Sequence, residues 1–147
     1  MRIVLFLIII FQLSSCSKQS KEAEIIQKGF ITESKTYYWG NKNIIVKDIE
    51  DDSKIFAITN EKYKIIYQQP INIVFSNYHY WTMYADENQN VYFYNSDYSE
   101  SKALIWNTKQ HKYDEKNFCS EKINLPAEFI NELKDKNTLK NCKSVNY

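Results

Sequence analysis

Glycine is nearly missing from this chain: only Gly29 and Gly40 occur in 147 residues. Phosphate-cradling loops and the sharp turns that present a nucleophile need glycine, because backbone must approach a ligand closely or take positive φ. Neither loop can be built here in its usual form. The turns must rely on Asn and Asp, whose short side chains tolerate the left-handed region. Arginine is rarer still, with Arg2 the only one. Its planar fork grips phosphate, carboxylate and guanine edges bidentately, so a chain without it beyond residue 2 is poorly equipped for nucleic acid or nucleotides. A genome that spells its cations as lysine accounts for the same shortage, along with the many Asn and Ile. Histidine is confined to His79 and His111, which have no paired-ligand spacing, and no HExxH, GxSxG or CxxC pattern occurs. Nothing marks two of the 18 acidic residues as a catalytic pair. The expectation is therefore a protein without enzymatic activity, cofactor or metal.

Long apolar runs are limited to one, Ile3 to Phe11, behind Met1-Arg2 and ahead of Leu13-Ser14-Ser15-Cys16. A cationic start, a short apolar segment and small residues before a cut make a secretory signal. The run is well short of the roughly 20 residues needed to span a bilayer. Leu13 to Cys16 resembles the lipobox of bacterial lipoproteins, a resemblance that covers residues 1–16. It implies that residues 1–15 are a removed signal peptide and that Cys16 becomes the first residue, acylated on sulfur and amino group. Two or more chains give stable membrane anchoring. The implied address is the bacterial envelope, and Ser17 rather than Asp fits an outer membrane facing the periplasm. Residues 16–29 are expected to be lipid anchor and tether, with Lys21–Gln27 either a short helix or more tether. Residues 30–147 are expected to be one globular domain. With Arg2 removed, 18 lysines face 18 acids. With Cys16 lipidated, Cys119 and Cys142 are left as an even pair, more often a disulfide than a metal site outside the cytoplasm.

From Phe30 to about Tyr113 short β-branched and aromatic runs alternate with polar breaks. Candidate strands are Phe30–Trp39, Ile44–Ile49, Ile55–Thr59, Lys64–Tyr67, Ile71–Phe75, Tyr78–Ala85, Val91–Tyr94 and Ala103–Trp106. The predicted fold is mainly β: an antiparallel meander, sandwich or small barrel of about seven or eight short strands, with one C-terminal helix. Pro126 suits its first position, Glu128 its first turn, Lys134 and Lys136 its end, and Phe129, Ile130 and Leu133 form its apolar stripe.

Within Tyr78–Tyr94, pairing Ala85 with Val91 sets Tyr84 opposite Tyr92, Met83 opposite Phe93 and Thr82 opposite Tyr94. Because strand side chains alternate, one face carries Tyr78, Tyr80, Tyr84, Tyr92 and Tyr94, and the other His79, Trp81, Met83 and Phe93. The Trp/Met/Phe face is core. The tyrosine face is either a partner surface, for which tyrosine is well suited, or a sheet face packed under the helix. Residues 84–94 also resemble one unit of the repeat family named for its Asp-Lys-Asn-Tyr-Tyr signature, with Glu87 in place of Lys, a family that implies no activity. Asp48-Ile49-Glu50-Asp51-Asp52 gathers carboxylates at a turn, where Asp51 and Asp52 could contact a basic partner, the cluster could hold a calcium ion although the calcium-loop spacing and its central glycine are missing, or the turn could simply be solvated. The reading that follows is a lipid-anchored envelope protein that binds another protein, as an inhibitor or immunity protein against a toxin. The alternative is an envelope-assembly or adhesion lipoprotein that binds glycan or another envelope protein.

Overall fold

The computed structural model describes residues 23–50, 52–142, 144 and 145. Cys16, the signal segment and Asp51 lie outside the described residues. Among the described residues the chain is mainly β, with two sheets facing each other across one core, no closed barrel, and one α-helix near the C-terminus.

The first sheet contains β1 (Ala23–Ile26), β3 (Thr36–Trp39), β4 (Lys42–Ile49), β5 (Ser53–Asn60) and β6 (Ile65–Gln68) in that order, with β7 (Phe75–Ser76) on the start of β5. The second runs β11 (Lys112–Asn117), β10 (Glu100–Asn107), β9 (Val91–Asn95), β8 (Trp81–Ala85) and β2 (Gly29–Phe30). Pairing is antiparallel except between β1 and β3. Alternation decides the core. Tyr37 and Trp39, Ile44 and Val46, Phe56 and Ile58 point inward from the first sheet, against Met83, Val91, Phe93 and Leu104 of the second. Aromatic contacts knit the two layers, with Phe75 stacked on Trp81 at 4.6 Å and edge-on to Phe93 at 5.6 Å.

The outer face of the second sheet is covered by α1 (Ala127–Asp135) and the 3-10 turn Thr138–Asn141. Pro126 stands just ahead of the helix, Glu128 lies in its first turn and Lys134 in its last. Phe129 and Leu133, one turn apart, are fully buried. Cys119 and Cys142 lie at disulfide distance, Cα atoms 4.1 Å apart, and bracket the helix as the cysteine count anticipated.

The hairpin register agrees residue for residue with the reading of the sequence: Ala85 pairs with Val91, Tyr84 with Tyr92, Met83 with Phe93 and Thr82 with Tyr94. Other boundaries need correction. The segment Ala23–Ile26, expected as tether or helix, is a strand, because Ile25 and Ile26 extend alongside Tyr38 and Trp39. Phe30–Trp39 is two strands in different sheets, broken at Glu33, whose N–H donates to the Tyr37 hydroxyl at 3.0 Å. Ile71–Phe75 is mostly turn, closed by Ile73 N–H donating to the Pro70 carbonyl at 3.0 Å, and only Phe75 joins a strand. Residues 77–79 are likewise a turn, so His79 is not a strand residue. β11 went unforeseen because Lys112–Asn117 carries one apolar side chain, Tyr113, on an edge strand. The turns also depart from expectation. The left-handed positions fall on Asp52 and Asn137 but also on Tyr63, Gln89, Ser99 and His111. Asn instead ties turns through its side chain: Asn60 Oδ1 accepts from Lys62 and Lys64 N–H, and Asn107 Oδ1 from Lys109 and Gln110 N–H.

Candidate functional site

The tyrosine face is not an open surface. Tyr84 and Tyr92 lie beneath α1, 2% and 3% exposed, with ring centroids 6.5 and 6.0 Å from that of Phe129. The Tyr92 hydroxyl donates to Asp86 Oδ2 at 2.9 Å, and burial together with the Asp86 charge holds it well above its ordinary pKa. Tyr80 and Tyr94 are half-buried. The Tyr80 hydroxyl donates to Glu132 of α1 at 2.9 Å, and the Tyr94 ring rests 6.0 Å from the Tyr80 ring. Tyr78 alone is free, 77% exposed on its turn. The five residues therefore do not form one continuous exposed face, because α1 covers Tyr84 and Tyr92. A glycan stacked on this face would find Tyr84 and Tyr92 covered for the same reason. Asp52 is exposed on the β4–β5 turn, and its carbonyl accepts from Asn77 N–H next to Tyr78. Asp48 is engaged by Lys54 at 2.6 Å. His79 faces Asp97 at 3.5 Å. Among the described residues no three His, Cys, Asp or Glu converge as a metal site.

Two other features are open. The first is the outer face of the first sheet. Opposite parity to the core turns Ile25, Tyr38, Ile45, Ile55 and Ile65 outward, and Tyr63 arches over from the β5–β6 turn. Ile25 is 84% exposed, Ile65 59% and Tyr63 56%. The Tyr38 and Tyr63 hydroxyls approach to 3.4 Å. Lys47 is the one charged side chain its strands turn outward among the described residues, and no carboxylate joins it. Tyr63 holds φ 60°, a strained conformation for a bulky side chain that sequence patterning could not reveal.

The second lies at the end of the sandwich, where the β3–β4, β5–β6, β8–β9 and β10–β11 turns meet. Gln89 clips the sheets together there: its Nε2 donates to the Trp39 carbonyl at 3.2 Å and to Asn41 Oδ1 at 2.8 Å, and its own carbonyl accepts from the Tyr113 hydroxyl at 3.0 Å. Gly40 sits beside it at φ 61°, where an L side chain would be strained, and a Cβ there, 2.7 Å from Gln89 Nε2, would push it off its partners. Lys42 has the inward parity of Ile44 and Val46, and is 2% exposed. Its ammonium donates to Gln89 Oε1 and lies 3.8 Å from the centroid of the Trp106 ring. Burial lowers its pKa to about 8. Reading β4 as starting at Ile44 left this lysine out, although its position two residues before Ile44 is the signal that places it inside.

The sign of the linkage follows directly. A lysine at about 8 when folded and at its ordinary 10.5 when unfolded penalises the fold fully below pH 8, and the penalty vanishes as pH rises through 10.5. The full gap corresponds to about 3 kcal/mol, of which the Trp106 ring and amide oxygens offset a part by favouring the ammonium. Lys42→Met is therefore expected to be more stable than wild type by about 2 kcal/mol at pH 7, with the gap closing between pH 8 and 10.5. Urea unfolding of both proteins at four pH values checks this; a gap that does not move with pH rejects it.

No known family model, curated protein or solved structure matches this chain. Fold and site together define a two-sheet β protein with one sheet face lidded by a helix and the other uncovered among the described residues.

Proposed function

We propose that this chain is a lipid-anchored envelope protein that acts by binding another protein, as an inhibitor or immunity protein against a toxin reaching the envelope. The contact is made with the outer face of the first sheet. The observation that carries this reading is the asymmetry of the two outer faces: one is sealed by α1 and its disulfide, the other leaves Ile25, Tyr38, Tyr63 and Ile65 in solvent. Contiguous apolar area rimmed by polar groups marks interaction surfaces, and tyrosine is enriched in them. A face that carries Lys47 and no carboxylate complements an apolar partner surface with an acidic rim. β1 is the edge strand of this sheet. With lipid on Cys16, seven residues back from Ala23, the sheet edge would be held within about 25 Å of the membrane.

Two measurements test the reading. Cys16→Ala is expected to move the protein from the membrane fraction to the soluble one. Ile65→Asp is expected to weaken binding to the toxin encoded beside the gene by more than tenfold while leaving the melting temperature unchanged, because the side chain is already solvated. Retained affinity in Ile65→Asp, or failure of the purified domain to protect cells from any neighbouring toxin, overturns it.

A further inference from the structure

The cleft at the turn end of the sandwich has an unusual lining. It encloses about 440 Å³, within the range of small-molecule sites. Lys42 and Trp106 belong to its wall, with Lys64 and His111 at the mouth and Asn41 and Asn60 beside them. Three cationic or protonatable side chains face one space, and no carboxylate lines it among the described residues. That is a marked bias in a chain with 18 acids. Among the described residues Lys42 makes no ion pair: it is held by the Gln89 amide, Asn41 Oδ1 at 3.4 Å and the Trp106 face. A buried ammonium without a counter-charge is costly, and an anion entering the cleft would remove that cost. The flat Trp106 ring and Ile66 supply apolar contact for the rest of such a ligand. His111, at φ 53°, is held in a left-handed conformation on the rim, the kind of strain that clusters at ligand sites.

We infer that this cleft is a binding site for a carboxylate carried on a planar or apolar body, with Lys42 and Lys64 meeting the anion and Trp106 stacking on the body. The carboxylate is that of a small organic acid or of an acidic side chain offered by a protein. This goes beyond the proposed function and does not depend on it: Ile65 borders both the cleft and the bare sheet face, but Lys42, Lys64 and Trp106, which meet the ligand, line the cleft alone.

The test follows the indole N–H resonance of Trp106 by NMR during titration with benzoate, with benzamide as neutral isostere and a blocked glutamate tripeptide as second acid. Benzoate is expected to shift the resonance with a millimolar Kd, benzamide to shift it at least tenfold less well, and Lys42→Met to lose the benzoate response. Tighter binding of benzoate than of the peptide assigns the site to a free acid, and the reverse order assigns it to a protein side chain. Lys64→Ala should weaken benzoate severalfold, and thermal melting of both variants shows that they are folded. Equal responses to benzoate and benzamide, no response to either acid, or an unchanged response in folded Lys42→Met overturns the inference. Benzoate binding is read on the wild-type chain and its Lys42 and Lys64 variants, and toxin binding on Ile65→Asp alone, so the two readings fail independently.

Discussion

Phe129→Ala is expected to destabilise the domain by about 3–5 kcal/mol. Phe129 is fully buried and is the centre of the second core, 5.7 Å from Phe118 edge-on and within 6.5 Å of Tyr84 and Tyr92. Truncation loses the transfer free energy of the ring and leaves a cavity that a sheet on one side and a stapled helix on the other cannot collapse. There is a second consequence. A helix of nine residues is too short to persist alone, so α1 owes its helicity to Phe129 and Leu133. Loosening it uncovers Tyr84 and Tyr92, and the variant should bind a hydrophobic dye at urea concentrations where wild type does not. Asn131→Ala, on the exposed side of the same helix, should stay within about 0.5 kcal/mol of wild type. Urea unfolding measures both, and a cost below about 1.5 kcal/mol for Phe129→Ala would show that the helix is not packed as described.

Reducing the Cys119–Cys142 pair is expected to cost about 3 kcal/mol, since the bridge closes a loop across a sequence separation of 23 residues. For a domain of this size the melting temperature should fall by about 10 °C. The loss should be local first: amide exchange should accelerate in α1 and around Thr138–Asn141 before it does in β4, β5 or β9. Combined with Phe129→Ala the effects should fall short of additive, because both loosen the same lid. Calorimetry with and without reductant, on wild type and variant, checks the pair of statements. Uniform acceleration of exchange across both sheets would contradict a lid role.

Much of this fold was legible in the sequence. The Tyr84–Tyr92 and Met83–Phe93 register followed from period-two alternation around one Asp/Asn turn, and the helix from Pro126, Glu128 and the Phe129–Leu133 spacing. Both rest on local rules, as does the even cysteine pair. Elements without a local signal were lost: β11 is charged and lies at an edge, and β1 gains its partner, β3, only once the chain has folded back.

The candidate sites were hardly legible, and the reason is physical. Alternation states which side chains share a face but not what covers that face. The sequence by itself determined a β-rich chain without glycine loops and with no arginine beyond Arg2, a tyrosine face and its register, one C-terminal helix and a pair of cysteines. Only the tertiary structure decided that α1 consumes the tyrosine face, leaving the other sheet bare. It also decided that four turns distant in sequence converge on Lys42 and Trp106. Covering a face and gathering turns both depend on long-range packing of apolar area, which no window of neighbouring residues encodes.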